Sequence, residues 1–242
     1  MASRDPWVST HGYGYVSPPG LRAHAAWSFV RAQSRLQETR LEIAITHAPR
    51  MPRPSPTSSP PQTWQLRLAL ESDVQELEAL IPLSVRSLQS PYYTQAQMEA
   101  ALGPVFGVDR QLIRDGTYFV AESAGVIVGC GGWSRRSSLY GGDDHRAGED
   151  PLLDPQHDAA RVRAFFVHPA WARRGIGRAI MVTCEQAIIA VGFQKVDIVA
   201  TLAGEPLYAA FGYTVLERYE IPMRDGLSLP VVRMTRSLGI NV

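Results

Sequence analysis

A chain of 242 residues, 45% apolar and 19% charged, has the composition of a globular protein with a sizeable core. No apolar run approaches the ~18 residues that a membrane helix needs, so the sequence reads as soluble, with no membrane partner. The net charge is +1, and of the 24 basic residues only Lys195 is a lysine. The arginine content is therefore a compositional habit before it is a binding signal.

Residues 1–63 differ from the rest. They hold seven arginines against three acids (Asp5, Glu38, Glu42), and six prolines fall between Pro49 and Pro61. Proline blocks both helix and central strand, so this tract predicts an extended, solvated linker behind a low-order N-terminal extension. An arginine-rich, acid-poor leader also has the look of an organelle transit peptide, and an over-long start assignment fits equally. With +4 in the extension, residues 64–242 carry −3, which argues against a nucleic-acid partner.

From Trp64 the pattern becomes regular. Trp64–Leu70 reads as a strand. Glu71, Ser72 and Asp73 then supply capping groups before a helix whose inward positions are Val74, Leu77, Leu80 and Ile81. A second helix follows with Thr94 as cap and Met98, Ala101 and Leu102 inward, and Arg110–Arg114 adds a turn. Thr117–Glu122 and Val126–Trp133 form a hairpin about Ser123-Ala124-Gly125. Ser134–Ala160 is a long loop rich in glycine and aspartate (Asp143, Asp144, Glu149, Asp150, Asp154, Asp158), of the length that often carries function.

A β-α-β unit comes next: strand Arg161–Val167, helix Arg174–Val191 closed by Gly192, and strand Lys195–Ala200 parallel to the first. The helix stripe is Ile176, Ile180, Cys184, Ala187, Ile188 and Val191. A short helix over Glu205–Phe211 and strands Tyr213–Tyr219 and Leu229–Arg236 complete the sheet. The last of these is an edge strand able to add to a partner, so monomer and homodimer are both open.

The chemistry concentrates between the first strand of that unit and its helix, at Val167-His168-Pro169-Ala170-Trp171-Ala172-Arg173-Arg174-Gly175-Ile176-Gly177-Arg178. A helix N-terminus offers unpaired backbone N–H groups and a partial positive charge, and glycines let a phosphate reach the main chain. Arg173, Arg174 and Arg178 add cations. The bland reading is that Gly175 and Gly177 only allow close packing. A dinucleotide fingerprint with Asp197 as ribose acid is the rival, but Ile180 stands where a third small residue is wanted.

The stretch resembles the acetyl-CoA signature of the GNAT superfamily, Q/R-x-x-G-x-G/A, over residues 172–177. Gly175 and Gly177 match, and Ala172 stands where Gln or Arg is usual. Tyr208 followed by Phe211-Gly212-Tyr213 also resembles the family, and Thr201 stands where Asn is frequent. Together with the element order the resemblance covers residues 64–238, about three-quarters of the chain. It implies a mostly antiparallel mixed sheet of six to seven strands with a splayed parallel pair and helices on both faces.

The implied activity is N-acetylation: direct attack of a primary amine, on a small molecule or a peptide, on acetyl-CoA as co-substrate. The implied cofactor contacts are Phe166, Val167, Arg173, Arg174, Gly175, Ile176, Gly177, Arg178 and Thr201, with backbone amides near Val167 steadying the thioester oxygen. At a lysine-like pKa only about one amine in a thousand is neutral at pH 7, so a base is needed. Glu122 and Asp158 are the candidates, ahead of His157 and His168.

Tyr208 is the candidate general acid for the departing thiolate. Tyr92, Tyr93 and Tyr140 are available to the acceptor site. No metal-ligand spacing occurs, and Cys130 and Cys184 read as core thiols of a cytoplasmic protein. A non-catalytic acyl-CoA-binding module, serving as sensor or partner, is the alternative that the departures at Ala172 and Thr201 suggest. O-acylation or a longer acyl donor also fits the same residues.

Overall fold

The computed structural model describes residues 63–142 and 150–239. The readings made for residues 1–62, and for the acids Asp143, Asp144 and Glu149, lie outside the described residues.

Seven strands form one sheet in the order β1-β2-β3-β4-β5-β7-β6. They are β1 (Gln65–Leu68), β2 (Tyr118–Ser123), β3 (Val126–Ser134), β4 (Ala160–Val167), β5 (Lys195–Thr201), β6 (Thr214–Pro222) and β7 (Ser228–Ser237). Only β4 and β5 are parallel; every other neighbour pair is antiparallel. The edge therefore belongs to β6, not to the C-terminal strand. β7 is hydrogen-bonded on both sides, and the expectation of an exposed Leu229–Arg236 edge is corrected. The reason is topological: β6 and β7 pair as a hairpin, and β7, in returning, fills the place beside β5.

Among the described residues five helices cover the two faces: α1 (Val74–Leu88), α2 (Gln95–Ala101), α3 (Arg110–Arg114), α4 (Ile176–Ala190) and α5 (Glu205–Ala210). On one face Leu77, Ile81 and Val85 of α1 and Met98 of α2 pack against Tyr118, Val120, Cys130, Phe166 and Val231. On the other, Ile176, Ile180, Met181, Cys184 and Ile188 of α4 pack against Val162, Val196, Ile198, Val232 and Met234. The predicted stripe holds except at its C-terminal end, where Val191 is exposed.

Local chemistry explains the element ends. Thr94 Oγ1 accepts the Gln97 amide at 3.2 Å while Gln97 Oε1 accepts the Thr94 amide at 3.0 Å, a reciprocal N-cap. The Asp73 carboxylate accepts the Leu70 amide at 2.8 Å and pairs with Arg67 at 2.7 Å, tying β1 to the start of α1. Ala124 and Gly125, both at positive φ, make the two-residue turn that joins β2 to β3.

The long loop after β3 is anchored by ion pairs. Arg136 binds Asp115 at 2.7 Å, and Asp150 accepts the Ser138 amide at 2.8 Å. Arg163 of β4 reaches Asp109 at 2.8 Å, and both side chains are almost fully buried. No helix among the described residues is long and apolar enough to cross a membrane.

Candidate active site

The parallel pair is short. β4 and β5 are in register only at Ala160–Val196, Arg161–Asp197 and Val162–Ile198, after which β4 runs on to Val167 and β5 to Thr201 without pairing. The sheet forks there. A cavity of about 100 Å³ occupies the fork, lined by Arg163 to Phe166 of β4, by Ile198, Val199 and Thr201 of β5, and by Tyr208, Ile221, Val231 and Tyr140.

A bulge in β4 accompanies the fork. Gly132 pairs with Arg163 and Cys130 with Phe166, so two residues, Ala164 and Phe165, face Gly131 alone. Ala164 takes φ 61°, a left-handed conformation that an L-residue adopts at a cost of roughly 1–2 kcal/mol. The His168 amide reaches Val128 O on β3 at 2.9 Å. The Val167 amide therefore turns away from β3, as does the Phe165 amide, which in its planar trans peptide lies opposite the Ala164 carbonyl that Tyr118 and Cys130 meet. The Val167 amide is already engaged on that side, donating to Ser84 Oγ of α1 at 3.2 Å.

Beyond β4 the chain makes a tight turn at Pro169–Trp171, capped by His168 Nδ1, which accepts the Ala170 amide at 3.1 Å. Arg173 at φ 62° and Gly175 at φ 85° then turn the backbone into α4. The first amides of α4 have no intrahelical carbonyl partners and carry the positive end of a 15-residue helix. A Cβ on Gly175 meets nothing within 4 Å, and one on Gly177 meets only Leu207 at 3.3 Å. The space over this loop is therefore open. Arg174 lies 4.9 Å from the Trp171 ring and Arg178 5.4 Å from the Phe211 ring, cation–π contacts that hold both guanidinium groups beside the loop.

The predicted residues separate into two groups. Phe166, Thr201 and Tyr208 line the cavity, and Val167 and the loop Arg173–Arg178 continue from its β4 wall. Thr201 Oγ1 accepts the Gly204 amide at 3.1 Å, so it also shapes the turn before α5. Tyr208 is buried between Phe165 and Tyr213, with ring centroids 6.2 and 6.1 Å away. Burial pushes its phenol well above the ordinary tyrosine range. It stays protonated at physiological pH.

The structure does not bring Glu122 or Asp158 to the fork. Glu122 sits on β2, two strands from β4, and pairs with Arg67 at 2.6 Å. Asp158 precedes the N-terminal end of β4, opposite the fork, and accepts the Asp154 amide at 2.8 Å. His157 pairs with Asp154 at 2.8 Å on the surface.

The tyrosines also divide. Tyr93 is structural: its hydroxyl donates to Pro230 O and accepts the Leu202 amide, both at 2.8 Å, and burial pushes it up to about 12. Tyr92 is exposed, and Tyr140 lines the cavity. Both thiols are buried and unpaired by disulfide, with Cys130 pushed up to about 12 by burial, so neither is a ready nucleophile.

Nothing in the sequence singled out Ser84, Arg163 or Ala164. Only the Gly129-Cys130-Gly131-Gly132 run in β3 hinted at an irregular neighbour. A Cβ on Gly131 stands 2.7 Å from the Phe165 ring, so that glycine makes room for it.

Residues 114–215 match the family model described as an acetyltransferase (GNAT) domain. No curated protein matches the chain in sequence. Among solved structures, a GCN5-related N-acetyltransferase from Rhodopseudomonas palustris is 23% identical, with TM-score 0.54 over 73% of this chain and 96% of its own. PaiA N-acetyltransferase from Thermoplasma acidophilum, solved with coenzyme A, is 10% identical over 72% and 99%, with TM-score 0.49. A GNAT family acetyltransferase from Brucella melitensis, solved with acetyl-CoA, is 15% identical over 75% and 92%, with TM-score 0.45.

Residues 114–215 are thus similar to an acetyltransferase (GNAT) domain, and the fold is that of a GCN5-related N-acetyltransferase. The matched domain is described as one of acetyltransferases.

Proposed function

We propose that the protein transfers the acetyl group of acetyl-CoA to a primary amine bound in the fork between β4 and β5. The observation that carries this is the fork itself, with pairing lost after Val162–Ile198 and an open glycine turn at the end of the same strand. In this reading the pyrophosphate rests on the backbone of Arg173 to Arg178, with the three arginines as counter-charges. The pantetheine arm lies along Phe165 to Val167, where two amides turn away from β3. These residues fit the co-substrate because a Cβ-free approach, a helix N-terminus and a strand end that β5 leaves unpaired coincide.

Within the fork the chain's own groups divide the work. The Phe165 amide is placed to polarise the thioester oxygen as negative charge develops, a contribution of up to about 3–4 kcal/mol in acyl-transfer sites. This moves the role expected near Val167 two residues back along β4. The neutral amine attacks the thioester carbon and the C–S bond breaks; Tyr208 delivers its proton to the departing thiolate, and the proton shed by the acetylated nitrogen restores the phenol. The amine enters past Tyr140 and Tyr219; burial first, then Tyr140 and Glu217, push the Tyr219 phenol up to about 12. We place the protein in the cytoplasm, a reading supported by its two buried free thiols.

The test is calorimetric titration of acetyl-CoA into wild type and a Gly175→Asp, Gly177→Asp double variant checked by circular dichroism, followed by a thiol-release screen over amines. Micromolar binding lost in the folded variant, with thiol release dependent on an amine, is the expected result. A wild type that binds no acetyl-CoA, or binds it and turns over no amine, overturns the reading.

A further inference from the structure

Ala164 is strained, and strain persists only where the surroundings over-determine it. Its carbonyl, displaced from the ladder by the bulge, is met by a buried cluster. Tyr118 Oη stands 3.3 Å from Ala164 O and 3.3 Å from Cys130 Sγ, and Cys130 Sγ stands 3.8 Å from the same oxygen. Tyr118 and Cys130 are both 0% exposed, on β2 and β3. A bulge residue normally takes such an angle as glycine; here the residue is alanine, and a hydroxyl two strands away supplies the hydrogen bond that its carbonyl lost.

Gly131 completes the arrangement. It lies opposite the bulge, and a Cβ there stands 2.7 and 2.8 Å from two carbons of the Phe165 ring. The ring can occupy that space only because Gly131 leaves it empty. The carbonyl of Ala164 and the amide of Phe165 belong to one peptide unit, which is planar, so fixing the carbonyl oxygen fixes the direction of the amide.

We propose that Tyr118 is a positioning residue: its hydroxyl, by holding the Ala164 carbonyl, aims the Phe165 amide at the thioester carbonyl of bound acetyl-CoA. Tyr118 touches neither substrate, and its effect passes through a single peptide plane. The inference rests on the acetyl-CoA reading above. It differs from a packing role in what it predicts: removal of one oxygen alters the bound thioester without altering how tightly the co-substrate is held.

The experiment is isotope-edited infrared spectroscopy of acetyl-CoA labelled at the thioester carbonyl, bound to the full chain with no acceptor present. Wild type is expected to lower the carbonyl frequency. Tyr118→Phe is expected to lose most of that shift while its Kd stays within about twofold, because uniform binding contacts are untouched. Should Tyr118→Phe fail to fold, the chain carrying 3-fluorotyrosine at position 118, whose hydroxyl is the stronger donor, is expected to deepen the shift at the same Kd, and an unchanged shift overturns the inference. A folded variant that binds acetyl-CoA with the full wild-type shift overturns the inference alone. A wild type that does not bind acetyl-CoA overturns the acetyltransferase reading and this inference with it.

Discussion

The Val167 amide donates to Ser84 Oγ at 3.2 Å across the gap that β5 leaves beside β4. The hydroxyl comes from α1, where Ser84 is buried on the face turned to the sheet. It occupies the hydrogen-bonding position that a ligand lying along β4 as an added strand needs. Ser84→Ala is therefore expected to bind acetyl-CoA more tightly, by about threefold, within the ~0.5–1.5 kcal/mol net value of one hydrogen bond. Calorimetric Kd values of the two proteins check this; weaker binding by the alanine variant shows that the hydroxyl assists the ligand instead.

Tyr208→Phe tests the acid. Loss of a positioned proton donor is expected to lower kcat by about 10²–10⁴-fold, with little change in KM for acetyl-CoA. Because burial raises the phenol, its deprotonation lies above the ordinary value near 10. The wild-type rate is thus expected to show no alkaline fall attributable to this group below pH 10. Thiol-release rates across pH provide both readings.

Asp109→Ala leaves the buried Arg163 guanidinium without its closest carboxylate, 2.8 Å away in the wild type. Breaking a buried pair by removing one partner costs about 3–5 kcal/mol. Asp109 Oδ1 also accepts the Leu112 amide at 3.2 Å, the N-cap of α3. Asp109→Asn retains an oxygen for that cap and is expected to lose less. Urea midpoints rank the two, and equal losses show that the cap contributes nothing.

Asp73 confers acid sensitivity with a definite sign. Its hydrogen bond from Arg67 holds the carboxyl below the usual carboxylate range against the opposing effect of burial. A depressed folded value gives stability that is present above the unfolded pKa of about 3.9 and is lost as pH falls through the folded value. Asp73→Asn is expected to be less stable than wild type at pH 7 by about 1–3 kcal/mol. The gap should close below about pH 4. Thermal melts at both pH values measure it, and a gap that widens in acid contradicts the assignment.

Sequence alone determined whatever rests on near-neighbour chemistry. The Thr94 cap, the Ala124-Gly125 turn, the α4 stripe and the glycine turn at Gly175 and Gly177 are each settled by residues within a few positions of one another. For the same reason the likeness to a GNAT acetyltransferase domain was legible before any coordinates. What tertiary structure decided rests on residues far apart in the chain. Glu122 was a reasonable base until Arg67, 55 residues away, proved to hold it. β7 was an edge strand until the sheet placed it between β5 and β6. The bulge at Ala164 has no local signature: the groups that meet it are Tyr118, 46 residues earlier, and a glycine on the neighbouring strand. Periodicity records which face of an element is buried; which partner a buried polar group finds depends on strand order and register, and these are properties of the assembled sheet.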